Sequence, residues 1–426
     1  MVQWKFKEQT MIKRNINNTN GNLDGDSHVQ ESARKASPKS KKRTGETQES
    51  RCCRSTQSSR APAIELGAIW RRRWKVQWEG LTVGLDIGDR YSFYCVLNEQ
   101  AEVHERGKCR TTEKDLRAVF SKFPAETRVA LEASTQSGWI SRLLEEIGLD
   151  VLVGQPRKMP QIYKSVKKND RVDAEKLARQ ARLDPNEMGP IRHRSAEMQM
   201  DLAVIRSRDA LVAVRTKLIN TVRCLVKGTG ERLPTCSAES FAKRVQGLIP
   251  EGAQAAVGPL VEMIGSMSLQ IRHYDDQIER LAEKKYSQTK LLRQVKGVGP
   301  VTSLAFVLTL ADPYRFEHSR DVGPYLGLVP RQDESGDSKP QLRITKAGDC
   351  YLRRLLVTSA QYVMGPFGPD CDLRRKGLEL CARGGKNARK RAVVAIARRL
   401  AVLLHKLWVN GEVYEPVRDN GVVAVT

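Results

Sequence analysis

Apolar and polar positions recur with two different periods along this chain, and the change of period divides it. Residues 82–88 (T-V-G-L-D-I-G) and 91–97 (Y-S-F-Y-C-V-L) are short runs rich in β-branched and aromatic residues, joined by the turn Gly88–Asp89–Arg90. They read as two strands of a hairpin. A third strand is expected at 101–109, a fourth at Arg128–Ala133 and a fifth at Asp150–Gly154. Amphipathic helices fit Thr112–Phe123, with Thr112 as its N-cap, and Gly138–Ile147. Hairpin-linked strands followed by alternating helix and strand predict a mixed α/β sheet.

Beyond Arg171 the period is helical. Arg171–Arg182 is a helix that Pro185 terminates. Leu202, Ile205, Leu211, Val214, Leu218 and Val222 recur at helical spacing within Ala196–Val226, and Met263, Met267, Ile271, Ile278 and Leu281 within Leu260–Ala282. Two long helices with a less regular connection fit an antiparallel hairpin or coiled-coil arm. Core helices of a bundle fit the same stripe, because a stripe does not name its partner. Leu291–Leu310 holds two helical patterns around Lys296–Gly297–Val298–Gly299–Pro300, and Asp349–Val363 and Lys386–Trp408 are further helices.

The first 80 residues follow neither period. Residues 14–60 are dominated by Asn, Ser, Thr, Gln, Lys and Arg, with few apolar residues, a composition that cannot bury enough surface to offset its ordering entropy. The expected organisation is a disordered basic extension at 1–80, a mixed-sheet domain at 81–185, a helical arm at 186–287, a mainly helical C-terminal domain at 288–416 and a tail at 417–426. Order is expected from Leu81, although Trp74 and Trp78 among Arg71, Arg72, Arg73 and Lys75 also offer aromatic faces for base stacking.

Charge narrows the function. The 426 residues carry 73 Lys and Arg against 49 Asp and Glu, a net charge of +24. The first 80 residues hold 17 basic and 8 acidic side chains, or +9, so +15 remains on the body. Such a chain meets a polyanion, and nucleic acid is the first candidate. No apolar run is long enough for a membrane span, and the N-terminus has no apolar core of a secretory signal. Nine cysteines without C-x-x-C spacing and six scattered histidines give no zinc site and no disulfide framework, and read as a reducing cytoplasm.

The basic residues are not evenly spread. From Arg374 to Arg399 there are ten Lys or Arg, including Arg383, Lys386, Arg389 and Lys390, with Glu379 as the one acid. A stretch this dense suits a phosphate-facing surface. Lys296, Gly297 and Gly299 form a helix–hairpin–helix-like turn whose amides can hold a phosphate; a plain tight turn is the alternative.

Against this background four carboxylates stand out: Asp86 at the end of the first strand, Glu132 near the end of the fourth, and Asp170 and Asp173 three residues apart at a helix start, with Asp170 as the expected cap. Carboxylates at the ends of neighbouring strands can converge, and hard divalent cations, Mg²⁺ above all, relieve their repulsion. Taken singly, each is also an ordinary turn, capping or paired residue.

At these residues the chain resembles the DEDD-type insertion-sequence transposases, whose N-terminal domain is RuvC-like, an RNase H-type fold. The matching residues are G-L-D-I-G with Asp86, A-L-E-A with Glu132, and K-N-D-R-V-D-A with Asp170 and Asp173. Farther on, V-K-G-V-G-P, Y-L-G-L-V-P-R, D-E-S-G, R-I-T-K-A-G-D and Y-L-R-R-L-L match the family's second domain. The resemblance spans about Leu81 to Pro416. It implies a recombinase guided by an element-encoded bridge RNA, with Mg²⁺ on the acidic tetrad and a C-terminal serine that forms a covalent phosphoserine. Carried over, the nucleophile is Ser335, with Arg331, Arg343 and Lys346 as phosphate-binding candidates. Many relatives have two hydroxyl residues before that glycine, whereas Glu334 holds the earlier position here; Ser338 is a second candidate.

DNA, a guide RNA and further copies of the chain are the expected partners, because strand exchange must hold two duplexes. Three other readings remain: a junction-resolving metal-dependent endonuclease that uses water, a degenerate copy that only binds nucleic acid, and an actin-like ATPase. The last needs a second Asp–Gly phosphate loop and a Gly-rich adenosine site, and the chain offers neither.

Overall fold

The computed structural model describes residues 74–163, 169–340 and 342–417. The expected extension up to residue 73 and most of the expected tail lie outside the described residues.

Five strands form one sheet: β1 (Thr82–Asp86), β2 (Tyr91–Leu97), β3 (Val103–Arg110), β4 (Arg128–Glu132) and β5 (Asp150–Gly154), in the order β3-β2-β1-β4-β5. β1 pairs antiparallel with β2 and parallel with β4, and β4 pairs parallel with β5. The sheet is thus mixed, as the hairpin and the alternating elements require. Period-two alternation sorts its faces. Val83, Leu85, Val129 and Leu131 pack with Leu116 and Phe120 of α1 (Glu113–Phe120) and Ile140 and Leu144 of α2 (Ser137–Glu146). Ala130 and Leu152 face Leu177 and Ala181 of α3 (Asp170–Leu183), and Cys95 and Leu97 face its Ala174 and Ala178. Thr112 caps α1 as expected, its hydroxyl accepting from the Asp115 amide at 3.2 Å.

The N-cap of α3 is a correction. Asn169, not Asp170, takes that position, its side chain accepting from the Arg171 amide, and Asp170 is the first helical residue. Asn in extended backbone supplies the acceptor, while Asp170 and Asp173 complement the positive end of the helix dipole.

Packing also begins before Leu81. Trp74 and Trp78 lie over the guanidinium of Arg128, 5.3 and 4.4 Å from its carbon. That buried arginine reaches Asp150 at 3.3 Å and the carbonyls of Lys75 and Ala181. The amides of Gln77 and Trp78 donate to the carbonyls of Leu183 and Arg182. A cation against two indoles holds this strap on the sheet, and both rings are engaged within the fold.

α4 (Ala196–Lys227) and α6 (Glu251–Arg280) run antiparallel, with Arg208 paired to Asp275 and Arg215 bonded to Ser268. Their far half has its own core of Val222, Val226, Val257 and Ile264, roofed by Phe241 and Val245 of α5 (Phe241–Val245). Their near half, with Leu202, Ile205 and Ile278, joins the core of the C-terminal helices. Both readings of the stripe therefore apply, each to one half of the pair.

The C-terminal helices include α7 (Thr289–Arg293), α8 (Pro300–Leu310), α9 (Cys350–Val363), α10 (Asp372–Ala382) and α11 (Ala388–Asn410). α8 is buried from Thr302 to Leu310, so it forms the centre of the group. Among the described residues no helix is long and apolar enough to cross a membrane.

Candidate functional site

The strand register sets the acidic residues. Leu85 of β1 pairs with Leu131 of β4, so Asp86 and Glu132 come one step later on adjacent parallel strands, at the same edge of the sheet. Alternation puts both on the face of Gly84 and Ala130, the face that α3 covers. α3 runs back along β1: Ala181 lies by Arg128 at the start of β4, whereas Ala174 lies on Gly84. The first turn of α3, with Asp170 and Asp173, therefore points to the end of the sheet that carries Asp86 and Glu132.

Asp86 and Glu132 are half-buried, Asp173 is buried and Asp170 is exposed. Lys176 donates to Asp173 at 3.4 Å within the same helix. Among the described residues, no three His, Cys, Asp or Glu side chains are gathered closely enough to hold a metal ion as they stand. The shared edge is a property of the backbone; a ready ligand cluster is not formed. The donor set is all carboxylate, the chemistry that suits a hard cation such as Mg²⁺ rather than zinc.

Ser335 lies in a separate feature, a two-stranded excursion between α8 and α9. Its stem is held by the Arg331 amide on the Arg343 carbonyl and the Thr345 amide on the Val329 carbonyl, both at 2.9 Å. At its tip Ser335 and Ser338 exchange backbone hydrogen bonds at 3.3 and 3.1 Å around Gly336, whose φ of +54° suits the turn. Both candidate serines thus share one exposed turn. Arg331 and Arg343 face each other across the stem, and Lys346, at φ +55°, closes it with its amide on the Gly327 carbonyl. Asp349 caps α9, accepting from the Leu352 amide at 2.7 Å, and also pairs with Arg206 of α4. The K-A-G-D segment is therefore the turn that starts α9.

Around Lys296 the chain does form a helix, a turn and a helix, α7 and α8. Gly297 has φ +94°, where a Cβ would meet the Tyr362 ring at 2.8 Å, and Gly299 is the N-cap of α8. A groove of about 430 Å³ opens here, lined by Gly297, Val298, Gly299, Thr302, Ser359 and Tyr362 among others. Thr302, Ser359 and Tyr362 were absent from the sequence candidates. The i, i+3 spacing of Ser359 and Tyr362, a polar and an aromatic residue on one helix face, was the available signal. Arg383, Lys386, Arg389 and Lys390 are all exposed at the α10–α11 turn; Arg383 is paired with Glu379 at 2.9 Å.

Two family models match the chain: the DEDD-type IS110 transposases over residues 83–230, and the IS116/IS110/IS902 transposase family over residues 289–372. The chain is 27% identical to the transposase for insertion sequence element IS1111A of Coxiella burnetii, across 82% of this chain and 94% of that one. It is 29% identical to a probable family 20 transposase of Pseudomonas aeruginosa, across 74% and 93%. With the transposase for insertion sequence element IS1328 of Yersinia enterocolitica it shares 28% identity, across 66% and 83%. These matches define a DNA transposase. The chain belongs to the DEDD-type IS110 family of insertion-sequence transposases.

Proposed function

We propose that this transposase cleaves and rejoins DNA through a covalent phosphoserine, with Asp86, Glu132, Asp170 and Asp173 holding Mg²⁺ and Ser335 as the nucleophile. The observation that carries the reading is the common edge of β1, β4 and α3, which gives four carboxylates one end of one sheet. Bound there, Mg²⁺ supplies positive charge to the attacking and leaving oxygens of a phosphodiester. The Ser335 oxygen forms a new ester bond to phosphorus. One of the two existing P–O ester bonds breaks; its oxygen takes up a proton as the serine proton passes to solvent. Because one ester replaces another, the reverse attack by a DNA hydroxyl rejoins a strand without an external energy source.

Arg331, Arg343 and Lys346 hold the phosphate beside the serine turn, with Arg suited to two oxygens at once. Lys296, Gly297 and Gly299, and Arg383, Lys386, Arg389 and Lys390, hold strands farther out. A guide RNA selects sequence by pairing, which leaves the protein to read shape and charge. The working unit is an oligomer of this chain, because two duplexes must be held together.

The test is covalent trapping. The full chain is incubated with Mg²⁺, element-end DNA and RNA from the flanking non-coding region, beside Ser335→Ala and Asp86→Asn. A DNA-linked protein band lost in both variants supports the reading. Cleaved DNA with no adduct, insensitive to Ser335→Ala, supports the water-using endonuclease instead. Nucleic-acid binding without either product leaves a binding-only copy.

A further inference from the structure

The groove between α8 and α9 has more chemistry than a phosphate contact uses. Its mouth is the N-terminus of α8, an eleven-residue helix capped by Gly299 and therefore without a side-chain cap. The first-turn amides there favour an anion. Its lining includes Thr302 and Ser359, 8% and 4% exposed as residues, and neither hydroxyl is hydrogen-bonded to another described residue, so both are left to bond what enters the groove. Its wall is the Tyr362 ring, 47% exposed, against which Gly297 lies too close to bear a side chain. Lys296 is exposed beside it.

We infer that this groove holds one unstacked nucleotide: its phosphate on the α8 N-terminus, its base on the Tyr362 ring, and base or sugar polar groups on the Thr302 and Ser359 hydroxyls. Anion site, two unpartnered hydroxyls and an aromatic face lining one cavity match the parts of a nucleotide, and a bare phosphate would leave the ring and the hydroxyls idle. A nucleotide inside a duplex cannot enter, because its base is stacked on both faces. The inference rests on the nucleic-acid reading of Lys296, Gly297 and Gly299 and names what that site selects: an unpaired position, in DNA or in RNA.

The experiment uses the full chain and a labelled duplex carrying one unpaired nucleotide, a matched duplex with an abasic residue at that position, and a fully paired duplex. Deoxy and ribo forms of the unpaired nucleotide separate the two sources. Stacking on one aromatic ring predicts that the unpaired base tightens binding by about 5- to 160-fold over the abasic form. Tyr362→Leu should abolish that preference and the double variant Thr302→Val with Ser359→Ala should weaken binding of the unpaired nucleotide, both keeping binding to paired DNA, while Tyr362→Phe retains the base preference. A 5-iodouracil at the unpaired position should photocrosslink to the peptide that contains Tyr362. Equal affinity for unpaired and abasic forms, or a crosslink only elsewhere, overturns the inference while the nucleic-acid reading stands. Failure of the unaltered chain to bind any of the probes overturns both.

Discussion

Gly84 of β1 and Ala174 of α3 meet backbone to backbone: a Cβ on Gly84 would stand 1.9 Å from the Ala174 carbonyl oxygen and 2.5 Å from the Ala178 amide nitrogen. Neither atom belongs to a side chain that can turn aside, so any side chain at Gly84 moves the helix. The same helix carries Asp170 and Asp173, and Asp86 lies two residues along the same strand face. Gly84→Ala should therefore cost about 1–3 kcal/mol of stability as overpacking, or more. It should also lower DNA cleavage per folded molecule, as read by urea denaturation beside a cleavage assay. A folded Gly84→Ala protein with an unchanged rate would detach α3 from the chemistry.

Asp86→Asn and Glu132→Gln keep shape and remove charge at one edge of the sheet. Both residues are half-buried at strand ends, so little packing is lost. If they hold Mg²⁺, each change should lower strand cleavage by about a hundredfold or more, since removing even an outer partner of a metal ligand costs 10–100-fold. DNA affinity in the absence of Mg²⁺ should hold or rise as negative charge leaves. A matched fall in cleavage and in metal-free binding would mean that the acids act through the fold.

Much of the fold was legible because strands and long helices declare themselves by period. All five strands are legible from short β-branched and aromatic runs between turns, the Thr112 cap from its residue type, and the long helical pair from its spacing. What escaped depends on contacts distant in sequence or on charge that hides a pattern. Nothing in Trp74 or Trp78 says that Arg128 will lie against them. α10 (Asp372–Ala382) was read as basic surface, because Arg374, Arg375 and Lys376 obscure the buried Leu373 and Gly377. The acids were visible as residues, but their common edge follows from the Leu85–Leu131 register, which only the paired strands fix.

Arg128 makes that strap testable. Its side chain is 1% exposed and that of its partner Asp150 is 8% exposed, so removing the cation leaves a buried carboxylate with its main partner lost. Arg128→Met should cost about 3–5 kcal/mol. Arg128→Lys should recover little of it, since one ammonium cannot reach Asp150 and two carbonyls while lying against two indoles. A chain begun at Leu81 should lose a comparable part of the stability of the unaltered chain, and an equal urea midpoint would remove the strap from the account.

His405 gives a pH dependence with a definite sign. Its Nε2 lies 2.8 Å from the Pro313 carbonyl and donates to it, which leaves Nδ1 to accept from Ser319 at 2.9 Å. Burial holds its pKa below the ordinary histidine value, outweighing the Pro313 carbonyl and Asp321, which favour the cation. The unfolded chain thus binds the proton more readily than the folded one. The contribution to stability is complete above about pH 6.5 and is lost as pH falls from there toward the depressed folded value. His193, also lowered by burial and by Arg142 and Arg194, acts in the same direction. The thermal midpoint should therefore drop between pH 7 and pH 5, and His405→Gln should flatten that drop while lowering the midpoint at pH 7.

The basic turn between α10 and α11 should show in salt dependence rather than in stability. Lys386, Arg389 and Lys390 are exposed, and each that meets a phosphate releases a counterion on binding. Substituting Ser at one such position should reduce the slope of log affinity against log salt by about 0.9 for duplex DNA. Arg383 should count for less, because Glu379 already neutralises it and must be displaced first. Glu379→Gln supplies the converse: it frees Arg383 and Lys376, so affinity at low salt and the slope should both rise. Filter binding across a salt series with all five variants separates a phosphate-facing surface from a solvated one. On a merely solvated face the five slopes would coincide with that of the unaltered chain.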